Sequence, residues 1–323
     1  MKKKVNFNLL IFVFILLALG VGFLKICLGN ILALSYWNEM ANNPQLMQAS
    51  LNQQNFLENF NNLKPFLKKD QENLSLSAKA VFSLFVGENE KELFDKNSNE
   101  SLPIASLTKL ISALVIIENC NEDQEIIISA KAAQKPGNNQ GELEEGEIFI
   151  AKDLFSAMLV ESNNTAALAF AQTIGEEEFV SLMNKKADDL GLASAYFSDP
   201  AGLDAPNLAE TNKMNAKDMA NLAKFILEEN PEIFEILSLK EFNLFKANGE
   251  FDHKAENTNL LLNKIPLVIS GKTGETPKSG GCLLLISQAP KSKGYLINVI
   301  LDSPDRFAEM EKLIDWIKTS YQW

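Results

Sequence analysis

"SLPIASLTKLISALVII" runs from Ser101 to Ile117, and its second half is apolar on every face, the pattern of a helix enclosed by other structure. That helix opens with Ser106 and Lys109, three residues apart. A buried ammonium without partners is costly, so a lysine at this place calls for a reason. Positions i and i+3 share a helix face, so the hydroxyl and the amine can touch. A serine in the first turn also receives the positive end of the helix dipole, which favours negative charge developing there. Moving a lysine from about 10.4 towards 7 costs about 4 kcal/mol, which burial and a second nearby cation can supply. Burial would then make Lys109 a proton acceptor for Ser106. Taken alone, the four residues also read as a surface cap followed by a snorkelling lysine.

Working outward, "AKAVFSLFV" and "KELFD" are short apolar runs split by "GENE", which predicts a β-hairpin feeding the Ser106 helix. Between Lys152 and Glu229 the period is helical, with Gly175 and Gly191 as punctuation. Three runs follow, "IPLVISGKTG", "GGCLLLISQA" and "GYLINVILDS", joined by turn-forming residues as in an antiparallel meander. "PDRFAEMEKLIDWIK" begins with proline and acids and ends in lysine, as a helix does. Strands thus come from both ends of the globular part with helices between them. The expected class is α/β in the α+β sense: an antiparallel sheet flanked by helices, with an inserted, mainly helical lobe.

Composition narrows the chemistry. With 46% hydrophobic residues among 323, the chain can bury a large core. A net charge of -12 without a basic stripe excludes nucleic acid as a partner. Arg306 is the sole arginine and His253 the sole histidine. A Ser-His-Asp relay or a His-rich metal site would therefore rest on His253 alone, and no catalytic role, metal or cofactor is expected. Cys27, Cys120 and Cys282 are too scattered for a disulfide framework or a zinc site and read as buried free thiols.

Lys2, Lys3 and Lys4 precede an uncharged run from Val5 to Leu24, about the length of a bilayer-spanning helix. Residues 1–35 read as an N-terminal membrane anchor, with a cleaved signal segment as the competing reading, and everything after it outside the cytoplasm. Residues 36–74, rich in Asn and Gln, read as a juxtamembrane spacer, leaving 75–323 as the functional domain.

Two further triplets carry chemistry. Ser162-Asn163-Asn164 falls between two predicted helices, where an ordinary helix N-cap is the plainer reading. Lys272-Thr273-Gly274 lies in the first meander strand, with Gly271, Gly280 and Gly281 nearby. Glycine in a strand often marks the approach of another backbone, and an exposed strand edge can hold an extended peptide. A strand with solvated ends is the alternative.

Taken together and in this order, Ser-x-x-Lys, Ser-x-Asn and Lys-Thr-Gly form the set used by penicillin-binding proteins and serine β-lactamases. Stretches such as "ELFDKNSNESLPIASLTKLISALVIIE", "AKDLFSAMLVESNNTAALAFAQTIG", "FSDPAGLD" and "VISGKTGETPKSGGCLLL" resemble the serine D-Ala-D-Ala carboxypeptidases, the low-molecular-mass penicillin-binding proteins. The resemblance covers nearly all of 75–323 and implies a β-lactamase/transpeptidase-like fold.

It further implies an acyl-enzyme on Ser106, formed with the penultimate D-alanine of a peptidoglycan stem peptide. Lys109 would accept the serine proton. Ser162 would pass a proton to the leaving amine, and Asn164 would hold Lys109 and the substrate amide. Lys272 would keep Lys109 neutral and, with Thr273 and Gly274, receive the terminal carboxylate. The oxyanion would sit between the backbone N–H groups of Ser106 and Glu275. Arg306 would help to fix the substrate's C-terminus, against a plain helix-end salt bridge. β-Lactam antibiotics are implied as covalent inhibitors, and a bacterial cell envelope as the location, membrane-anchored or, if the segment is cleaved, secreted. Two departures stand out: Thr165 follows Asn164 where the family usually has an acid, and Glu275 follows Lys-Thr-Gly. A D,D-endopeptidase acting on crosslinks and a β-lactamase are the alternatives, although no Glu-x-x-Leu-Asn loop is present to supply a deacylating base. A non-catalytic wall-binding scaffold would be expected to lack Ser106 or Lys109.

Overall fold

The computed structural model describes residues 65–69, 73–134, 142–262, 264–291 and 294–323, all within one compact unit, Lys64–Trp323. The expected anchor, Cys27 and most of the expected spacer lie outside the described residues. No helix among the described residues is long and apolar enough to cross a membrane.

In chain order, β1 (Phe66–Leu67), β2 (Ala80–Val86), β3 (Lys91–Lys96) and β4 (Leu102–Pro103) lead to a 3₁₀ turn at Ala105–Thr108. It runs directly into α1 (Lys109–Asn119). The lobe follows: β5 (Glu125–Ile127), α2 (Ala130–Ala133), β6 (Ile148–Ile150), α3 (Ala151–Val160), α4 (Asn164–Ile174) and α5 (Glu176–Asp189). Next come β7 (Lys213–Met214), α6 (Ala216–Glu229), α7 (Glu232–Leu237) and the hairpin of β8 (Glu241–Phe245) and β9 (Phe251–Glu256). The chain closes with β10 (Val268–Thr276), β11 (Gly280–Gln288), β12 (Tyr295–Ser303), α8 (Arg306–Ser320) and β13 (Tyr321–Gln322).

The main sheet has the order β10-β11-β12-β2-β3, antiparallel throughout. The predicted hairpin and meander therefore join through β12 and β2, which brings the two ends of the described chain into one sheet. β1, from the segment read as spacer, pairs with β13. Both faces of the sheet are covered, which is why its strands read as continuous apolar runs rather than as an alternation. Phe82 and Leu84 of β2 face the core shared with α1 and α6. Val81 and Phe85 face the second core, against Met310, Leu313, Ile314 and Ile317 of α8. α1 is buried from Lys109 to Ile116 on every side, as its sequence predicts.

One buried carboxylate ties α8 to the sheet. Glu309 accepts the backbone N–H groups of Ser77 and, at 2.9 Å, Ala78, together with the Ser303 hydroxyl at 2.6 Å. Cys120 and Cys282 are free thiols, the second fully buried. Removing the Glu309 carboxylate orphans these donors, those of Ala78 and Ser303 buried, so Glu309→Ala is expected to lower stability by about 3 kcal/mol in equilibrium urea unfolding, and Glu309→Gln by less.

Candidate active site

The 3₁₀ turn and α1 place Ser106 and Lys109 one above the other, with Oγ and Nζ 2.8 Å apart. Nζ is also 2.7 Å from Oδ1 of Asn164 and 2.8 Å from the carbonyl oxygen of Ala201. Lys109 has no solvent exposure. The two carbonyl oxygens can only accept, so a neutral amine spends both N–H groups on them and turns its lone pair to the Ser106 hydroxyl. Burial pushes the Lys109 amine down to about 7 from 10.5, while the Asp199 carboxylate pulls the other way. The site is thus built to hold a base beside a hydroxyl.

The Ala201 carbonyl is aimed by a turn that the sequence left without a role. Asp199 Oδ1 accepts the N–H groups of Ala201, Gly202 and Leu203 at 2.8–3.0 Å. Gly202 has φ +83°, and a Cβ there would lie 2.1 Å from the Ala105 carbonyl oxygen. Only glycine lets the loop press this closely on the turn that carries Ser106. Ala105 itself is held at φ 46°, a left-handed conformation uncommon for alanine. A Gly at the end of "SDPAG" was the available signal; the carbonyl that matters leaves none in a side-chain pattern.

Ser162 lies between α3 and α4 at φ 64°. The cap of α4 is Asn163, whose Oδ1 accepts the Ala166 N–H at 3.0 Å, so the plainer reading of Ser162 as the helix cap is not what the fold does. Ser162 Oγ is instead 2.7 Å from Nζ of Lys272. Lys272 also donates to the carbonyl oxygen of Thr273 at 3.0 Å and is 1% exposed. Burial first, then the charges of Lys109 and Arg306, push its amine well below the ordinary lysine range. Burial is the leading cause at both amines, and the repulsion between Lys109 and Lys272 disfavours charge on either one.

Lys272, Thr273, Gly274 and Glu275 occupy β10, the edge of the main sheet. The Thr273 hydroxyl is 2.6 Å from that of Thr258, a partner the sequence reading did not name. A Cβ at Gly274 would stand 2.9 Å from the Ser106 nitrogen and 3.0 Å from the Ile104 carbonyl oxygen, so the glycine is what admits the edge strand to the serine backbone. The Glu275 side chain turns away to an ion pair with Nη1 of Arg306. Arg306, expected to help fix a substrate's C-terminus or else to make a plain salt bridge, has its guanidinium paired with Glu275 and its Nε buried without a partner among the described residues. An adjacent carboxylate within reach is the physical reason: a half-buried guanidinium takes the nearest anion.

A family model of D-alanyl-D-alanine carboxypeptidases matches residues 69–305. The chain belongs to the D-alanyl-D-alanine carboxypeptidase family. It is 31% identical over 266 residues to D-alanyl-D-alanine carboxypeptidase DacF of Bacillus subtilis, covering 80% of this chain and 67% of that one. It is 33% identical over 242 residues to D-alanyl-D-alanine carboxypeptidase DacC of Escherichia coli, covering 70% and 58% respectively. The chain thus spans about two thirds or less of the length of these two relatives. Among solved structures it resembles penicillin-binding protein D2 of Listeria monocytogenes in the ampicillin-bound form, with 28% identity and a TM-score of 0.64 over 76% of this chain and 99% of that one. Carboxypeptidases of this family are serine peptidases, and the expected transpeptidase-like fold is the one found. All the expected site residues except Arg306 fall inside the family match.

Replacing Gly274 tests the strand approach. Gly274→Ala is expected to slow penicillin acylation about 100-fold or more, because the displaced strand withdraws from the Ser106 nitrogen. The stability loss should stay within about 3 kcal/mol.

Proposed function

We propose that this chain is a serine-type D-Ala-D-Ala carboxypeptidase that removes the terminal D-alanine of peptidoglycan stem peptides. The observation that carries the reading is the Lys109 amine, enclosed among two carbonyl acceptors and the Ser106 hydroxyl. In this reading Lys109 takes the Ser106 proton as Oγ attacks the carbonyl of the penultimate D-alanine. The tetrahedral oxyanion forms between the N–H groups of Ser106 and Glu275, each worth about 3 kcal/mol. Ser162 delivers a proton to the departing D-alanine amine, and Asn164 orients Lys109 and the substrate amide. Water then releases the acyl group from Ser106.

The substrate's terminal carboxylate falls to Lys272 and Thr273 rather than to Arg306. Lys272 loses its proton readily because it is buried beside Lys109 and the Arg306 guanidinium. An arriving carboxylate reverses that balance and restores the charge that holds it. β-Lactams acylate the same serine. We also assign the chain to the cell wall, with residues 1–35 as a membrane anchor and the catalytic unit outside the cytoplasmic membrane.

Incubation of the full-length protein with labelled penicillin is expected to give one adduct, on Ser106, and none with Ser106→Ala. The wild-type protein should release D-alanine from a peptide ending in D-Ala-D-Ala, at least about 10³-fold faster than Ser106→Ala. An adduct elsewhere contradicts the assignment. So does cleavage confined to crosslinked peptide dimers, which is the outcome for an endopeptidase.

A further inference from the structure

Ser162 is the residue of the site with the least support from regular structure. It occupies a left-handed conformation that a side chain rarely adopts, between the end of α3 and the start of α4. Its two neighbours are tied to one another across it: Asn163 Nδ2 donates to Glu161 Oε1 at 2.7 Å. The Glu161 side chain is wholly buried. Such a carboxylate needs a partner, and one comes from the β8–β9 hairpin. Nε2 of His253 lies 2.8 Å from Glu161 Oε2, and Nδ1 of the same ring lies 2.5 Å from Asp252 Oδ2. Both ring nitrogens face carboxylates, which only accept, so the ring fills both positions as an imidazolium.

We propose that His253, held as a cation between Glu161 and Asp252, is a positioning residue for Ser162. It fixes the buried Glu161 carboxylate and, through the Glu161–Asn163 bond, keeps the Ser162 hydroxyl against Lys272. The role rests on the reading of Ser162 as the proton relay and adds to it a control from outside the three motifs. His253 touches no reacting group.

The charges around the ring are consistent with that role. Across the cluster, Lys246 is 3.9 Å from Asp252, 2.8 Å from Glu147 and 3.4 Å from Glu250. Lys254, on the same strand as the histidine, pairs with Glu241 at 2.7 Å. The hydrogen bond to Glu161 leads the causes that raise His253 from 6.5 to about 9, against partial burial. A histidine raised in this way gives its full support below its unfolded value and loses it as pH rises through about 9. Deprotonation removes one of the two ring N–H groups, so the ring no longer bridges Glu161 and Asp252 as a cation and its hold on the Ser162 turn loosens.

The chain has one histidine, so its ring signals are unambiguous in NMR spectra of the full-length protein. We expect His253 to titrate near pH 9, and the rate constant for penicillin acylation of Ser106 to fall at least 10-fold over the same interval. His253→Gln should acylate at least 10-fold more slowly than wild type at pH 7.5 and show no further step near pH 9. The double variant Glu161→Gln/His253→Gln, which removes the buried charge and keeps a partner for Asn163, should recover most of the loss. Acylation that runs level while His253 titrates overturns the proposal, and this comparison needs no variant to fold. A folded His253→Gln enzyme with the wild-type rate and profile overturns it as well. If the wild-type protein takes no penicillin on Ser106 at any pH, the functional reading fails; a normal adduct with a level pH response removes the role of His253 alone.

Discussion

The site depends on keeping water away from one amine. Lys109 enters the fold on a helix buried from Lys109 to Ile116, and its polar neighbours within hydrogen-bonding distance are oxygens placed by different parts of the chain. Ser106 comes from the same turn, Asn164 from the lobe, and the Ala201 carbonyl from the loop that Asp199 organises. A shift from 10.5 to about 7 corresponds to about 5 kcal/mol of preference against the charged form. Its sign is unfavourable to the fold at low pH: the unfolded chain keeps the proton up to about 10.5, so stability rises with pH between the two values. The other end of the chain offsets that cost with two packed faces of sheet and an anchored α8.

The same dryness shapes the second amine. Lys272 is buried on an edge strand whose glycine allows contact with the serine backbone, and it shares its space with Lys109 and Arg306. In the proposed reading a substrate carboxylate is the counter-charge for that cluster. Glu275 already pairs with Arg306 at the rim, and the inner Lys272 amine is held by the Ser162 hydroxyl and the Thr273 carbonyl. In the proposed reading, the reaction and the recognition of a C-terminus are coupled through the burial of two lysines.

Much of this was legible in sequence because the signals were local. The largely apolar run after Lys109 predicted an enclosed helix, and three apolar runs between turn residues predicted the meander. Ser106, Lys109, Ser162, Asn164, Lys272 and Thr273 form two hydrogen-bonded clusters, Ser106–Lys109–Asn164 and Ser162–Lys272–Thr273. What sequence did not disclose was long-range or carried by the backbone. A carbonyl oxygen such as that of Ala201 has no residue type. The pairing of Glu275 with Arg306 joins positions 31 residues apart through a sheet end, and the Glu161–His253 contact spans 92. Asn163 rather than Ser162 capping α4 was hidden because both residue types make good caps.

The central claim is most directly tested by titrating Lys109 itself. In full-length protein carrying ¹³C-labelled lysine, with the signal assigned by its loss in Lys109→Arg, the resonance beside the amine should move with a midpoint near pH 7. A midpoint at 10 or above would mean that the amine is charged when the serine has to react, and the account of the site would be contradicted.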